Sequence, residues 1–319
     1  PIFDRAPRRP LFVGALAWVA VVLLTASPSA GYHETLLRLV GAGLGAGAYN
    51  TVVNASLAER HLDKSAGPMA IVHGCATLGA IAGAPLFGWV ALHGSVSDSF
   101  RLIGAAHALL ALVCVAVPLS FGRGQRKGAA FGDGESVPYR AMLPFLGIAF
   151  AYVGIEGTLT VFAVPYAHSA LGLDVQRGRW AISALWLGIL IGRAGLYAGR
   201  KRDPGRRAMV TAGLLTAAVL VIGGLVRPAR VELFFGAVGL AIGALYPLTM
   251  TMIGVRFPSA RGTAVGLAGG AGAIGGVLVP WCTGMLGDRS GAGATIWVTA
   301  ALAVLLALCA VSLSRRRAA

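Results

Sequence analysis

Twelve acidic residues occur in the chain, and Glu156 alone sits in the middle of a long apolar run. The stretch YVGIEGTLT places Tyr152 four residues before it and Thr160 four residues after it. In a helix that spacing puts a phenol, a carboxyl and a hydroxyl on one face. A carboxyl held there can bind a polar molecule or carry a proton. The plainer reading is a structural hydrogen bond to a neighbouring helix. Charge within hydrocarbon costs about 2.5–3.5 kcal/mol at a helix centre on insertion scales, so such a residue needs an account.

Other polar groups stand in similar surroundings. Asn50 and Asn54 are one helical turn apart. Their amides both donate and accept, which suits hydroxyl-rich molecules, and they serve equally to join helices. His73 and His107 are single histidines, readable as proton relays or as packing residues. Trp186 lies seven residues before Arg193, two turns away on the same helix face. Its ring can stack on a sugar-like ring or fill a core. Tyr246 precedes Pro247, and Pro165 closes the run that holds Glu156. Each proline removes an intrahelical hydrogen bond and predicts a bend. Arg38 starts its run, where it can reach back to water. Cys75, Cys114, Cys282 and Cys309 form no C-x-x-C pair, and H-E-x-x-H, Walker A and Ser/His/Asp patterns are absent. We expect no enzyme, no metal and no cofactor.

The elements that carry these residues follow from composition. Hydrophobic residues make up 56% of the 319 and charged residues 12%, with a mean hydropathy of +0.75. A soluble domain carries about twice that share of charge. Apolar runs near the length of a bilayer-spanning helix recur at 10–27, 34–57, 67–90, 101–120, 141–166, 179–200, 207–226, 231–254, 261–286 and 292–313. The net charge of +15 belongs to the loops between these ten spans. Of the 27 Lys and Arg, 19 fall at alternate ends and 6 at the opposite ends. By the positive-inside rule both chain ends are then cytoplasmic. Anionic lipid headgroups account for the basic charge, and a nucleic-acid partner is not required.

The chain also repeats itself. DRAPRR (Asp4 to Arg9) recurs as DPGRR (Asp203 to Arg207), and GAIAG (Gly79 to Gly83) recurs as GAIGG (Gly272 to Gly276). Four spans follow the first basic motif and four follow the second. Two further spans stand between the long loop 120–140 and the second motif. The two parts match if two spans also precede the first. Pairs at G-x-x-x-G spacing, such as Gly188 with Gly192 and Gly239 with Gly243, predict close helix approach.

A twelve-helix, two-half plan with a D-R-x-G-R-R loop in each half resembles the major facilitator superfamily. Pro7 replaces the first motif's glycine, and GRAGLYAGRKRDPGRR is one residue out of the usual spacing. YVGIEGTLTVFAVPY (Tyr152 to Tyr166), the run from Trp186 through GILIGR to Arg193, and GVRFPSARGTAVGLAGGAGAIGGVLVPW are similar to the fucose-permease-like sugar transporters.

The resemblance implies an all-α membrane protein, a major-facilitator-type helical bundle with ten of twelve transmembrane helices present. Residues 1–120 would be the N-terminal half without its first two helices, 121–140 a cytoplasmic linker and 141–319 a six-helix half. It implies a monomeric inner-membrane secondary transporter that moves a sugar or a similar small polar solute by alternating access, with protons as the candidate coupling ion. Glu156, Tyr152, Thr160, Asn50, Asn54, His73, Trp186 and Tyr246 would line the solute and proton pathway. Asp4, Arg5, Arg8, Arg9, Arg193, Asp203, Arg206 and Arg207 would form the gate and its loop motifs. GAIAGAPLFG also resembles a drug:proton antiporter motif, interrupted by Ala84. An exporter of apolar compounds, or a membrane fragment that does not transport, are the alternatives.

Overall fold

The computed structural model describes residues 7–61, 66–117, 138–198 and 205–313. Among them the chain is helical, and each expected span falls on a helix. In order these are α1 (Arg8–Leu24), α2 (Tyr32–His61), α3 (Ala66–His93), α4 (Val96–Ala116), α5 (Tyr139–Pro165), α6 (Val175–Ala198), α7 (Gly205–Val226), α8 (Val231–Arg256), α9 (Arg261–Ser290) and α10 (Ala294–Ser312). Among the described residues, seven helices are long and apolar enough to cross a membrane. The protein is therefore a multi-pass, all-α membrane protein.

Local sequence explains the boundaries. At the start of α4, the Ser95 hydroxyl accepts from the Asp98 amide, and the Asp98 carboxylate accepts from the Ser95 amide. This reciprocal pair satisfies two otherwise free donors. The predicted bend at Pro247 is a break: α8 runs as Val231–Ile242 and restarts as Leu245–Arg256. Pro247 has no N–H to offer the Gly243 carbonyl four residues back, and the helix interrupts there. At Pro165, α5 passes into a single wide turn, Tyr166–Ala170.

Helix pairing shows an internal pattern. α1 packs on α4 and α2, α3 on α4, and α2 on α3. The same set recurs as α7 on α10 and α8, α9 on α10, and α8 on α9. Further pairs fix the second group, chiefly α6 against α8 and α5 against α9 and α10. The α6–α8 approach needs glycine. A Cβ on Gly192 would lie 2.8 Å from the Leu240 carbonyl oxygen, and one on Gly243 would lie 2.5 Å from that of Ile189. Backbones this close let van der Waals contact and short polar reach replace bulky packing.

The two groups meet at one end. The second segment of α8, Leu245–Arg256, touches α2 and α3, α3 packs on α6, and α2 packs on α9. The first segment of α8, Val231–Ile242, instead packs on α6 and α7 within its own group. The joined end is therefore where α2 finishes and α3 begins.

Candidate functional site

A polar cluster lies where the groups join, and Arg193 is its centre. Gly192 brings α6 against α8, so the next residue enters the bundle at the crossing. Arg193 is 5% exposed. Its Nη2 donates to the Tyr152 hydroxyl at 3.1 Å. Its Nη1 donates to the His73 carbonyl oxygen at 2.6 Å and to the Thr77 hydroxyl. Thr77 Oγ1 in turn donates to the His73 carbonyl at 2.8 Å. One guanidinium thus ties α6 to its neighbour α5 and, across the groups, to α3.

Glu156 stands on the same side of this guanidinium. Its Oε2 is 4.0 Å from Arg193 Nη2, too far for a hydrogen bond, and that oxygen is buried without a hydrogen-bond partner. Arg193 Nε is likewise buried and unbonded. An acid and a base therefore share one low-dielectric pocket with donor and acceptor capacity left over. Their Coulomb attraction persists at this distance, because little water screens it.

Aromatic rings and an amide close the cluster. The Tyr152 and Tyr246 ring centroids are 5.5 Å apart, and the His73 ring stands edge-on to Tyr246 at 5.1 Å. Tyr246 owes its place to the break in α8 just before it. His73 Nε2 and Asn54 Oδ1 lie 3.0 Å apart, which joins α3 to α2. Five helices, α2, α3, α5, α6 and α8, each place at least one side chain here.

The structure thus brings together Glu156, Tyr152, Asn54, His73, Tyr246 and Arg193 from the expected set. It separates three others. Asn50 is exposed, and its Nδ2 donates to the Ala46 carbonyl of its own helix. The Thr160 hydroxyl donates to the backbone carbonyl of Glu156 at 2.8 Å and leaves the carboxyl alone. Trp186 is half-buried and packs on the apolar core. Arg193, expected near the inner end of its helix to pair with helix ends or acids, lies inside the bundle beside Glu156. Thr77 was missed, although His73 and Thr77 share the i, i+4 spacing that identified the Glu156 face.

The basic motifs cap helix ends. Arg9, the second residue of α1, donates through Nη2 to the carbonyls of Cys114, Val115 and Val117 at the end of α4. Arg206, the second residue of α7, donates through Nε and Nη2 to the Val311 carbonyl at the end of α10. Cations belong at helix C-termini, where carbonyls are unpaired. Arg8 is buried, with Nη1 3.4 Å from the Ser56 hydroxyl, and Arg207 is exposed. Asp4, Arg5 and Asp203, and the linker 121–137, lie outside the described residues. Far from the cluster, Arg177 holds Glu232 through two bonds of 2.7 Å and ties the first turns of α6 and α8. No group of three or more metal-binding side chains occurs among the described residues.

Comparison with known proteins fits this architecture. The family model described as Major Facilitator Superfamily matches residues 1–226 and 145–319. The chain has no match among curated protein sequences. Among solved structures, the E. coli fucose:proton symporter FucP superposes with a TM-score of 0.78 at 16% identity, over 98% of this chain and 86% of that one. The proton:xylose symporter XylE gives 0.74 at 16%, over 96% and 80%. The human organic anion transporter MFSD10 gives 0.74 at 17%, over 96% and 78%.

Proposed function

This chain belongs to the Major Facilitator Superfamily, and we propose that it is a secondary active transporter that moves a small polar solute, a sugar, by alternating access together with protons. One observation carries the reading: a buried acid–base pair, Glu156 with Arg193, in a polar cluster that bridges the two helical groups. A transporter must couple chemistry at a central site to the joining and parting of its halves. Arg193 does the joining here, and the unbonded Glu156 oxygen is a place for a proton within reach of it. The likeness of the fold to FucP and XylE, a fucose:proton and a proton:xylose symporter, supports the sugar and the proton.

The basic caps give the setting. Arg9 and Arg206 lie at the joined end, which the charge bias makes the cytoplasmic end, next to anionic headgroups. We place the protein in the inner membrane as a monomer, with both ends in the cytoplasm and closed there by Arg193. Residues 1–120 would be four helices of a six-helix half, with two more helices covering α2 and α3.

The transport reading is tested with the native full-length protein in proteoliposomes under an acid-outside gradient. Labelled fucose, xylose and glucose are offered in turn. Uptake of at least one, faster with the gradient than without, is expected. Absence of uptake for all three, with efflux of apolar dyes in its place, overturns the sugar assignment.

A further inference from the structure

The gate reading assigns Arg193 a role but leaves open what receives it. The geometry points to Thr77 as the receiver, and we propose that it is a positioning residue for the cytoplasmic gate. Among the described residues Arg193 crosses between the groups through Nη1, which has two acceptors on α3. One is the carbonyl of His73, which belongs to the backbone and survives any substitution of the side chain. The other is the hydroxyl of Thr77, which is completely buried. Thr77 Oγ1 donates its own hydrogen to that same carbonyl, so its lone pairs face the guanidinium. The hydroxyl is thereby fixed in the accepting orientation before Arg193 arrives.

The surroundings hold this receiver in place. Gly74, between the two acceptors, faces α6, where a Cβ would make ordinary contact with Leu190 at 3.7 Å. The His73 ring is tied to Asn54 on α2 and rests against Tyr246 on α8. Asn54, His73 and Thr77 form a fixed socket on the first group, and Arg193 is the moving part that enters it. A guanidinium withdrawn from the socket but still buried would keep unpaired N–H groups, a costly state that favours full separation over partial loosening. The contact therefore acts as a two-position latch.

The inference rests on the alternating-access reading, and its test separates the two. Thr77→Val keeps the shape and removes the acceptor, while Thr77→Ser restores a hydroxyl. Spin-label pairs at Val117 with Tyr139, near the cytoplasmic end, and at Tyr32 with Val175, near the other, report distances across the groups in the full-length protein. Losing a hydrogen bond to a charged group should raise the ratio of cytoplasm-open to cytoplasm-closed molecules by roughly ten- to a hundredfold. Thr77→Val should lengthen the first distance and shorten the second, Thr77→Ser should return both, and Arg193→Ala should act as Thr77→Val does. If Arg193→Ala shifts both distances and Thr77→Val shifts neither, the role of Thr77 is overturned and the gate stands. Lengthening at the cytoplasmic end without shortening at the other marks local loosening and overturns the latch. If no variant moves either distance, the gate reading itself falls.

Discussion

Replacing Glu156 by glutamine tests the coupling most directly. Glutamine keeps the size and both polar atoms of the acid but cannot bind or release a proton. At 4.0 Å, unit charges attract by about 4 kcal/mol at an effective dielectric constant of about 20. Glu156 and Arg193 side chains are 18% and 6% exposed, so water screens the pair only weakly. The bonds of Arg193 to His73, Thr77 and Tyr152 remain in the variant, and the amide dipole restores part of the loss. About half of the attraction, roughly 2 kcal/mol, is then removed from the closed end, which is about thirtyfold in the balance of states. Reconstituted Glu156→Gln protein should exchange labelled for unlabelled solute across the membrane. It should no longer alkalinise the outer medium when solute enters, because no proton travels with it. A pH electrode in weakly buffered vesicle suspension reads the difference. Solute-driven alkalinisation at the wild-type proton-to-solute ratio would remove Glu156 from the proton path and refute the reasoning.

The other perturbations separate socket from scaffold. Asn54→Ala leaves His73 Nε2 without its partner in a buried site and should cost about 1–3 kcal/mol of stability, whereas Asn50→Ala, exposed and bonded only within its own helix, should change the melting temperature little. Equal thermal shifts for the two would contradict the assignment of Asn54 to the cluster. Gly243→Val would drive side-chain atoms into the Ile189 carbonyl and force α6 from α8, so little monodisperse protein should survive detergent extraction. Normal yield and elution volume on gel filtration would show that the close crossing is not required.

Much of this molecule could be read before its structure, for identifiable physical reasons. The apolar runs gave the helices, since hydrocarbon admits few other backbone arrangements for an exposed span. Pro247 announced the break in α8, because a missing N–H acts locally wherever it occurs. Glu156 stood out because a lone acid in an apolar run is costly and needs a partner. What escaped was the pairing between helices. Nothing in spacing joins His73 to Asn54, 19 residues apart, or Arg193 to Thr77, 116 residues apart. Asn50 and Asn54 looked alike in sequence, yet a single turn separates an exposed amide from a buried one. Thr160 matched the face of Glu156 but satisfied its hydroxyl on the backbone, as threonine in a helix commonly does. Thr77 makes that same backbone bond and yet takes part in the cluster, a difference set only by what lies opposite.

The two repeats of the glycine pattern make a last point about the architecture. Gly272, Gly275 and Gly276 in GAIGG of α9 abut α5, where a Cβ on Gly272 would meet Val153 at 2.9 Å. Gly79 and Gly83 in the matching GAIAG of α3 would meet nothing within 4 Å. The same contrast holds for the neighbouring pair. Gly239 and Gly243 of α8 press on α6, whereas Gly43 and Gly47 of α2 face open space. α8 is buried over 61% of its most apolar stretch and α2 over 17%. Exposed leucine would not argue for a partner, since lipid solvates it well. Glycine is different: it weakens a helix by roughly 0.5–1 kcal/mol relative to alanine, and close approach of another backbone is one use that offsets the cost. In α8 and α9 the approaching helices are α6 and α5. By the repeated pairing, the bare glycines of α2 and α3 fit two helices standing to them as α6 and α5 stand to α8 and α9. Cysteines at Gly43 and Gly79 in the native full-length protein should then resist a lipid-soluble maleimide. Rapid labelling at both would leave those faces to lipid and overturn the two-helix proposal.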